Sequence, residues 1–328
     1  MITNEAVLSS KIEGTQATMG EVMEYEASGN TDDLTAKKQN DINEILNYRK
    51  AINYVLEQMK TMPLCLRVIK GAHKILLSSV RGQNRAPGEF RKTPNWIGLE
   101  GCSIEEATYV PISADKLVDG MGKWEKYLQS NSKSKLLQIA ILHAEFEALH
   151  PFLDGNGRLG RMLIPLFFKN AGLIQSPMFY ISAYFEAHKE LYYERLRNVS
   201  SADDWTGWCR FFLEAVAFQA NANREQALKI LDLYNTKKSL VPNMTKSPYG
   251  ITVLDMLFMR PVFKVSDIIH LNEVPSATMR RIMKIFKDAG WIIPLKAASG
   301  RRSEIMAFPE LLNITEGREI FRKSDRAE

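Results

Sequence analysis

The run His150-Pro151-Phe152-Leu153-Asp154-Gly155-Asn156-Gly157-Arg158-Leu159-Gly160-Arg161 constrains this chain more than any other stretch. It gathers a base, a carboxylate, an amide, three glycines and two arginines between two apolar segments. Upstream, Leu136 to Leu149 has helical spacing. Downstream, Met162 to Phe168 continues towards Gly172, a helix stop signal. The spacing predicts a loop between two buried helices, opening into the N-terminus of the second.

Such a placement suits phosphates. A helix N-terminus offers unpaired N–H groups and a partial positive charge. Gly155 and Gly157 let the backbone approach an anion, and Asn156 between them can hydrogen-bond a phosphate oxygen. Arg158 and Arg161 are three apart, share a helix face and carry guanidinium forks that match phosphate oxygens. Asp154 can hold Mg²⁺, which binds through one or two carboxylates plus substrate phosphates. His150 can accept a proton near neutral pH. Each part alone reads as an ordinary turn, cap or surface group. In this order they are the parts of a nucleotidyl transfer.

The string resembles the Fic family motif, His-x-Phe-x-[Asp/Glu]-Gly-Asn-Gly-Arg-x-x-Arg, at every specified position. The resemblance implies transfer of AMP from ATP to the hydroxyl of a protein Ser, Thr or Tyr, on this chain or another. It implies His150 as the base, Asp154 as the Mg²⁺ ligand, Gly155, Asn156 and Gly157 around the phosphates, and Arg158 and Arg161 on the β/γ end. The sequence Ser9-Ser10-Lys11-Ile12-Glu13-Gly14 is similar to the family's inhibitory motif, [Ser/Thr]-x-x-x-Glu-[Gly/Asn]. Ser9 and Glu13, four apart, project from one helix face. By resemblance Glu13 pairs with Arg161 and takes the place of the γ-phosphate. Relatives with this arrangement usually carry a further stretch ahead of it, so a truncated, cleaved or naturally short start is expected.

Composition agrees with an enzyme of two or three domains: 328 residues, 45% hydrophobic, net charge +5. Cys65, Cys102 and Cys209 are far apart and lack metal spacing, which fits a reducing, cytoplasmic setting. No apolar run reaches membrane length.

The fold class expected is mainly α: a Fic-type helical core with a β-hairpin flap, plus a C-terminal winged-helix domain. Residues 1–30 form the inhibitory region, with a helix over 5–27 broken near Gly20. Asn30 to Asp33 make a turn and cap. The core spans 31–235, with helices over 34–60 and 64–79. Two β-prone runs around a Gly- and acid-bearing loop form a hairpin at 90–112, which the resemblance identifies as the flap that docks the protein substrate. A later helix carries Tyr192 and Tyr193; the resemblance puts Tyr193 near the adenine, and Ser200 stands where some relatives have Asn. The next helix runs from 203 to 235.

A polar linker is expected at 236–247, a winged helix-turn-helix at 248–315 and a tail at 316–328. Helices begin at Ile251 and Val265, a third follows Pro275, and two strands flank Ser299-Gly300-Arg301-Arg302. Arg280, Arg281, Lys284 and Lys287 on the third helix, with Arg301 and Arg302, could grip DNA phosphates. Residues 241–328 hold 14 Lys/Arg against 10 Asp/Glu, a weak excess. DNA contact and a homodimer both stay open. The alternatives to AMP transfer are a DNA-binding regulator with a Fic sensing core and removal of AMP from modified proteins.

Overall fold

A computed structural model describes residues 2–28, 34–98, 101–269, 274–296, 303–317 and 319. The elements in chain order are α1 (Ile2–Ile12), α2 (Met19–Ser28), α3 (Ala36–Gln58), α4 (Leu66–Leu76), α5 (Ala114–Leu128), α6 (Lys135–Leu149) and α7 (Asn156–Asn170). They continue with α8 (Ile181–Ala187), α9 (Lys189–Ala202), α10 (Trp205–Thr245), α11 (Gly250–Met259), β1 (Val262–Lys264), α12 (Val265–Ile269), α13 (Ser276–Asp288), β2 (Ile293–Lys296), β3 (Ile305–Ala307) and α14 (Pro309–Glu316). The chain is mainly α, as expected, and forms two compact units.

The first unit comprises residues 1–17 and 36–221. Its centre is the pair α6 and α7, both apolar around most of their circumference, which is the pattern of helices enclosed by others. In α7 every residue from Arg158 to Phe168 is buried. Ser134 caps α6 by accepting the N–H of Leu137 (3.4 Å). Three large buried polar side chains of this core are matched. Trp124 and Trp208 donate their indole N–H to the carbonyls of Leu142 and Ala140, each at 2.8 Å. His143 lies between the Gly160 carbonyl (3.2 Å) and the Tyr192 hydroxyl (2.9 Å). A carbonyl only accepts, so Nδ1 carries the proton and Nε2 accepts from Tyr192. Burial pushes this imidazole down to about 3, so it is neutral.

The second unit comprises residues 18–35 and 222–328. Its three strands are antiparallel in the order β1-β3-β2, with Val262 opposite Ala307 and Ile293 opposite Ala307 on the other side. Phe286, Trp291 and Phe308 join Leu254 and Leu257 in one apolar cluster, while Met23 and Ala27 of α2 pack beside Val262 and Ile305.

Several elements differ from the expectation. The first helix breaks at Glu13 to Thr18, ahead of Gly20, and the expected cap at Asn30 to Asp33 lies outside the described residues. The segment read as a polar linker is helical as far as Thr245: α10 runs ten residues past the expected end. Lys237, Val241 and Thr245, four apart, are buried along one side, and this stripe overrides the exposed polar residues between them. The flap is less regular than a hairpin. Among its described residues only Ile97 and Tyr109 form an antiparallel bridge, with a 3₁₀ turn at Ile104–Glu106 between them. Strand β1 and helix α14 had no counterpart in the expectation. The expected tip Ser299 to Arg302 lies outside the described residues.

Candidate active site

The segment from Pro151 to Gly155 joins α6 to α7 and lines a cavity of about 630 Å³. Its walls include Glu13, Glu147, His150, Asp154 to Arg158, Arg161, Tyr193 and the flap residues Trp96, Ile97 and Tyr109. All the residues the sequence assigned to AMP transfer and its restraint except Ser9 therefore line one space, and Ser9 is a direct partner of Arg161.

His150 ends α6 with φ +46°, a left-handed conformation that turns the chain sharply out of the helix. Its Nδ1 lies 3.3 Å from the carbonyl of Glu147. Since that oxygen can only accept, Nδ1 carries the proton and the Nε2 lone pair is free. Burial pushes the ring down to about 4, so the imidazole is neutral at physiological pH.

The loop is held by residues with no local signal in the sequence. Arg91, from the base of the flap, donates Nε to the carbonyl of His150 (3.0 Å) and Nη2 to those of Leu149 (3.3 Å) and Ile112. Its own amide donates to Pro151 (2.9 Å). His73 of α4 meets the carbonyl of Asp154 through Nε2 (2.8 Å) and stacks on Phe152 with 3.7 Å between ring centroids. Asn95 and Tyr109 donate to the carbonyls of Phe152 (3.0 Å) and Ala148 (2.8 Å), so the flap is tied to the loop it overhangs.

Asn156 departs from its expected use. Its side chain is buried, accepts the N–H of Phe152 (2.9 Å) and donates to the carbonyl of the same residue (2.8 Å). Both ends of the amide are spent on the turn, so it shapes the loop. Asn156 also lines the cavity, and Gly155 beside it takes φ +77°.

Arg158 is buried between two carboxylates, Glu44 of α3 (3.0 Å) and Asp154 (3.4 Å). Glu44 also accepts from Thr15 (3.1 Å) and lies 3.6 Å from Arg81. Asp154 keeps 30% of its side chain exposed on the cavity wall. One accessible carboxylate beside a phosphate-sized space fits Mg²⁺, which takes its remaining ligands from phosphates and water. Among the described residues no cluster of three or more His, Cys, Asp or Glu could hold a metal alone.

Arg161 meets α1 and the turn that follows it. Its Nε donates to Ser9 Oγ (3.0 Å), and Nη2 to the Ser9 carbonyl (2.9 Å) and to Glu13 Oε1 (2.6 Å). Burial would raise the Glu13 carboxyl, but the Arg161 guanidinium outweighs it and holds the group below its usual value, so it is ionised. The carboxylate lies against Gly157 in the first turn of α7; a Cβ there would collide with Oε1. An anion thus already sits at the helix N-terminus that the sequence marked for phosphate. Tyr193 is 36% exposed in the same cavity. Burial, and then the charge of Glu13, push its hydroxyl up, so its OH shares the surroundings of the Glu13–Arg161 pair.

A positive helix start, a neutral imidazole with a free lone pair and a partly exposed carboxylate thus line one cavity between two helices. The family comparison agrees: the Fic/DOC family model matches residues 63–168 and the Fic/DOC family N-terminal model matches residues 1–57. Residues 63–168 are therefore a Fic/DOC family domain, preceded by a Fic/DOC family N-terminal segment. It is similar to the protein adenylyltransferase Fic of Drosophila grimshawi, 29% identical over 143 residues, and to that of Drosophila ananassae, 27% identical over the same length. Each match covers 42% of this chain and 27% of the relative, so the chain spans about a quarter of the length of these proteins. A crystal structure of a Fic family protein from Desulfovibrio desulfuricans superposes over 93% of this chain and 86% of its own, with TM-score 0.57 and 19% identity. A Fic domain containing signaling protein from Bacteroides thetaiotaomicron covers 68% of this chain and 85% of its own, with TM-score 0.55 and 17% identity. At such identity the likeness is one of fold.

Proposed function

We propose that this chain transfers AMP from ATP to a Ser, Thr or Tyr hydroxyl of proteins, itself included, and that Glu13 restrains the reaction from within. The observation that carries the reading is the Glu13 carboxylate seated between Arg161 and Gly157 at the start of α7. It is a built anion site occupied by an internal anion. In the reaction the target hydroxyl gives its proton to Nε2 of His150 as its oxygen bonds the α-phosphorus. The bond from the α-phosphorus to the bridging oxygen breaks, and pyrophosphate leaves. Arg91 and the Glu147 carbonyl hold the imidazole in line. Arg161, released by Glu13, binds the γ-phosphate, and the amides of the Gly155–Gly157 turn face the chain of phosphates. Asp154 would hold Mg²⁺, which supplies neutralisation of charge on the leaving pyrophosphate. The flap presents the target as an extended segment paired to its edge, and Tyr193 flanks the nucleotide.

We read the second unit as a winged helix, on the strength of α11, α12 and α13 followed by the β2–β3 ribbon. The reading is tested by incubating the parent and Glu13→Gly with labelled ATP and Mg²⁺. AMP on a hydroxyl side chain, increased in the variant, is the expected result. A folded variant that binds ATP and incorporates no label would overturn it.

A further inference from the structure

Glu5, Ser9 and Glu13 stand four residues apart along α1 and the turn that closes it, so they project in the same direction. Ser9 and Glu13 both meet Arg161. Glu5 goes elsewhere: it is 2% exposed, accepts the amide N–H of Ser182 at Oε2 (3.2 Å) and pairs with the Ser182 hydroxyl through Oε1. Ser182 lies in α8, is fully buried, and has no part in the phosphate site. A carboxyl is costly to bury unless it is matched, and its position then becomes specific. Glu13 itself lies past the last residue of α1, in a turn whose Gly14 has φ +93°. Where Glu13 sits therefore depends on where the body of α1 is docked.

We infer that the buried Glu5–Ser182 clasp between α1 and α8 is the latch that seats Glu13, and that loosening it lifts the restraint with Glu13 and Arg161 both intact. The inference rests on the reading of Glu13 as an internal restraint. Glu5 is a positioning residue: it acts through Glu13 and touches no substrate.

The surroundings of Glu5 add a pH signature. It is faced by Tyr48 from α3, Tyr180 and Ser182 at the start of α8, and Arg161 from α7. Burial pushes its carboxyl up to about 8, against the lowering effect of Ser182 and Arg161. A freed carboxyl ionises near 4.5. Between those values the docked helix holds one more proton than the released helix. Docking therefore weakens as pH rises through that window, by at most about tenfold per unit, and changes no further above it.

The test uses the full chain with labelled ATP and Mg²⁺, comparing the parent, Ser182→Ala, Glu5→Gln, Glu13→Gly and the double change Ser182→Ala/Glu13→Gly. Amide exchange of α1 is followed alongside. Ser182→Ala removes one buried hydrogen bond and is the mild variant; it should speed α1 exchange by roughly tenfold and raise labelling several-fold. Glu5→Gln keeps a neutral group of the same shape and should stay near the parent in rate. The ratio of Glu13→Gly to parent labelling should fall from pH 6 to pH 8, and Glu5→Gln should flatten that fall. The double change should label no faster than Glu13→Gly. Unchanged α1 exchange in a folded Ser182→Ala protein overturns the latch, as does fast exchange with parental labelling while Glu13→Gly is activated. If Glu13→Gly itself shows no gain, the restraint reading fails on its own evidence, and the exchange data still decide whether the clasp docks α1.

Discussion

Replacing Glu13 with Gly should both activate the protein and destabilise it. Arg161 is 1% exposed on its side chain and Glu13 30%, with 2.6 Å between them. Removing one partner of a buried pair costs about 3–5 kcal/mol. Water reaches Glu13, and Ser9 keeps two of the three bonds to Arg161, so about 1–3 kcal/mol is expected here. Glu13 follows the last residue of α1, so Gly at this position adds little of the usual penalty for a helix interior. The same energy is what ATP must overcome to claim Arg161, which translates to roughly five- to 150-fold in transfer rate. The variant should melt below the parent without nucleotide, and ATP–Mg²⁺ should raise its melting temperature by more than it raises the parent's. Arg161→Ala should show no activation, because the phosphate grip is lost along with the ion pair. The double change should behave like Arg161→Ala, since Glu13 acts through that arginine. Incorporated AMP is measured for all four proteins at limiting and saturating ATP. Equal labelling of folded parent and Glu13→Gly at both concentrations would falsify restraint by this residue.

His150→Ala should keep ATP–Mg²⁺ binding, read by calorimetry, and lose transfer by about two to four orders of magnitude. Because burial holds His150 near 4, its neutral, proton-accepting form persists down to that pH. The acid-side loss of transfer owed to this base should fall near pH 4 in a pH–rate profile; a loss centred at 6.5 would contradict the burial argument. Asp154→Ala should abolish the Mg²⁺ dependence together with most activity, and an unchanged Mg²⁺ titration would count against it. Asn156→Ala frees two backbone groups of the loop and should lower stability by about 1–3 kcal/mol, read by denaturant titration.

The part of the site that follows from local sequence was legible. Apolar spacing located α6 to within a residue and the end of α7 to within two, while the start of α7, six residues ahead of its apolar run, was marked only by the glycines and arginines. The Glu13 contact with Arg161 followed from a second motif, whereas the two Ser9 bonds to Arg161 appear only in the structure. What was not legible comes from long-range partners. Glu44 and His73 lie on α3 and α4, and Arg91 at the base of the flap. Nothing beside them in the chain shows that they brace a segment 58 or more residues away. The turn-holding role of Asn156 was not legible either: an amide between glycines suits a phosphate and a tight turn equally well, and only the positions of the Phe152 backbone groups reveal the second use. In α10, Pro242 and a run of polar residues suggested a linker, although Lys237, Val241 and Thr245 carried a helical signal. The basic set on α13 is also thinner than its composition. Arg281 is tied to the Thr245 carbonyl (2.9 Å) and Lys287 to Glu304 (2.8 Å), so half of its four cations have partners within the fold.

Peptide mass spectrometry of Glu13→Gly and of Glu13→Gly/His150→Ala after incubation with ATP and Mg²⁺ decides whether the chain carries out His150-dependent AMP transfer. Parallel samples with GTP, CTP and UTP fix the nucleotide. The account predicts an AMP adduct on a Ser, Thr or Tyr side chain in the first protein and its near absence in the second. An adduct of equal yield in both, or none in a folded first protein that binds ATP, would contradict it.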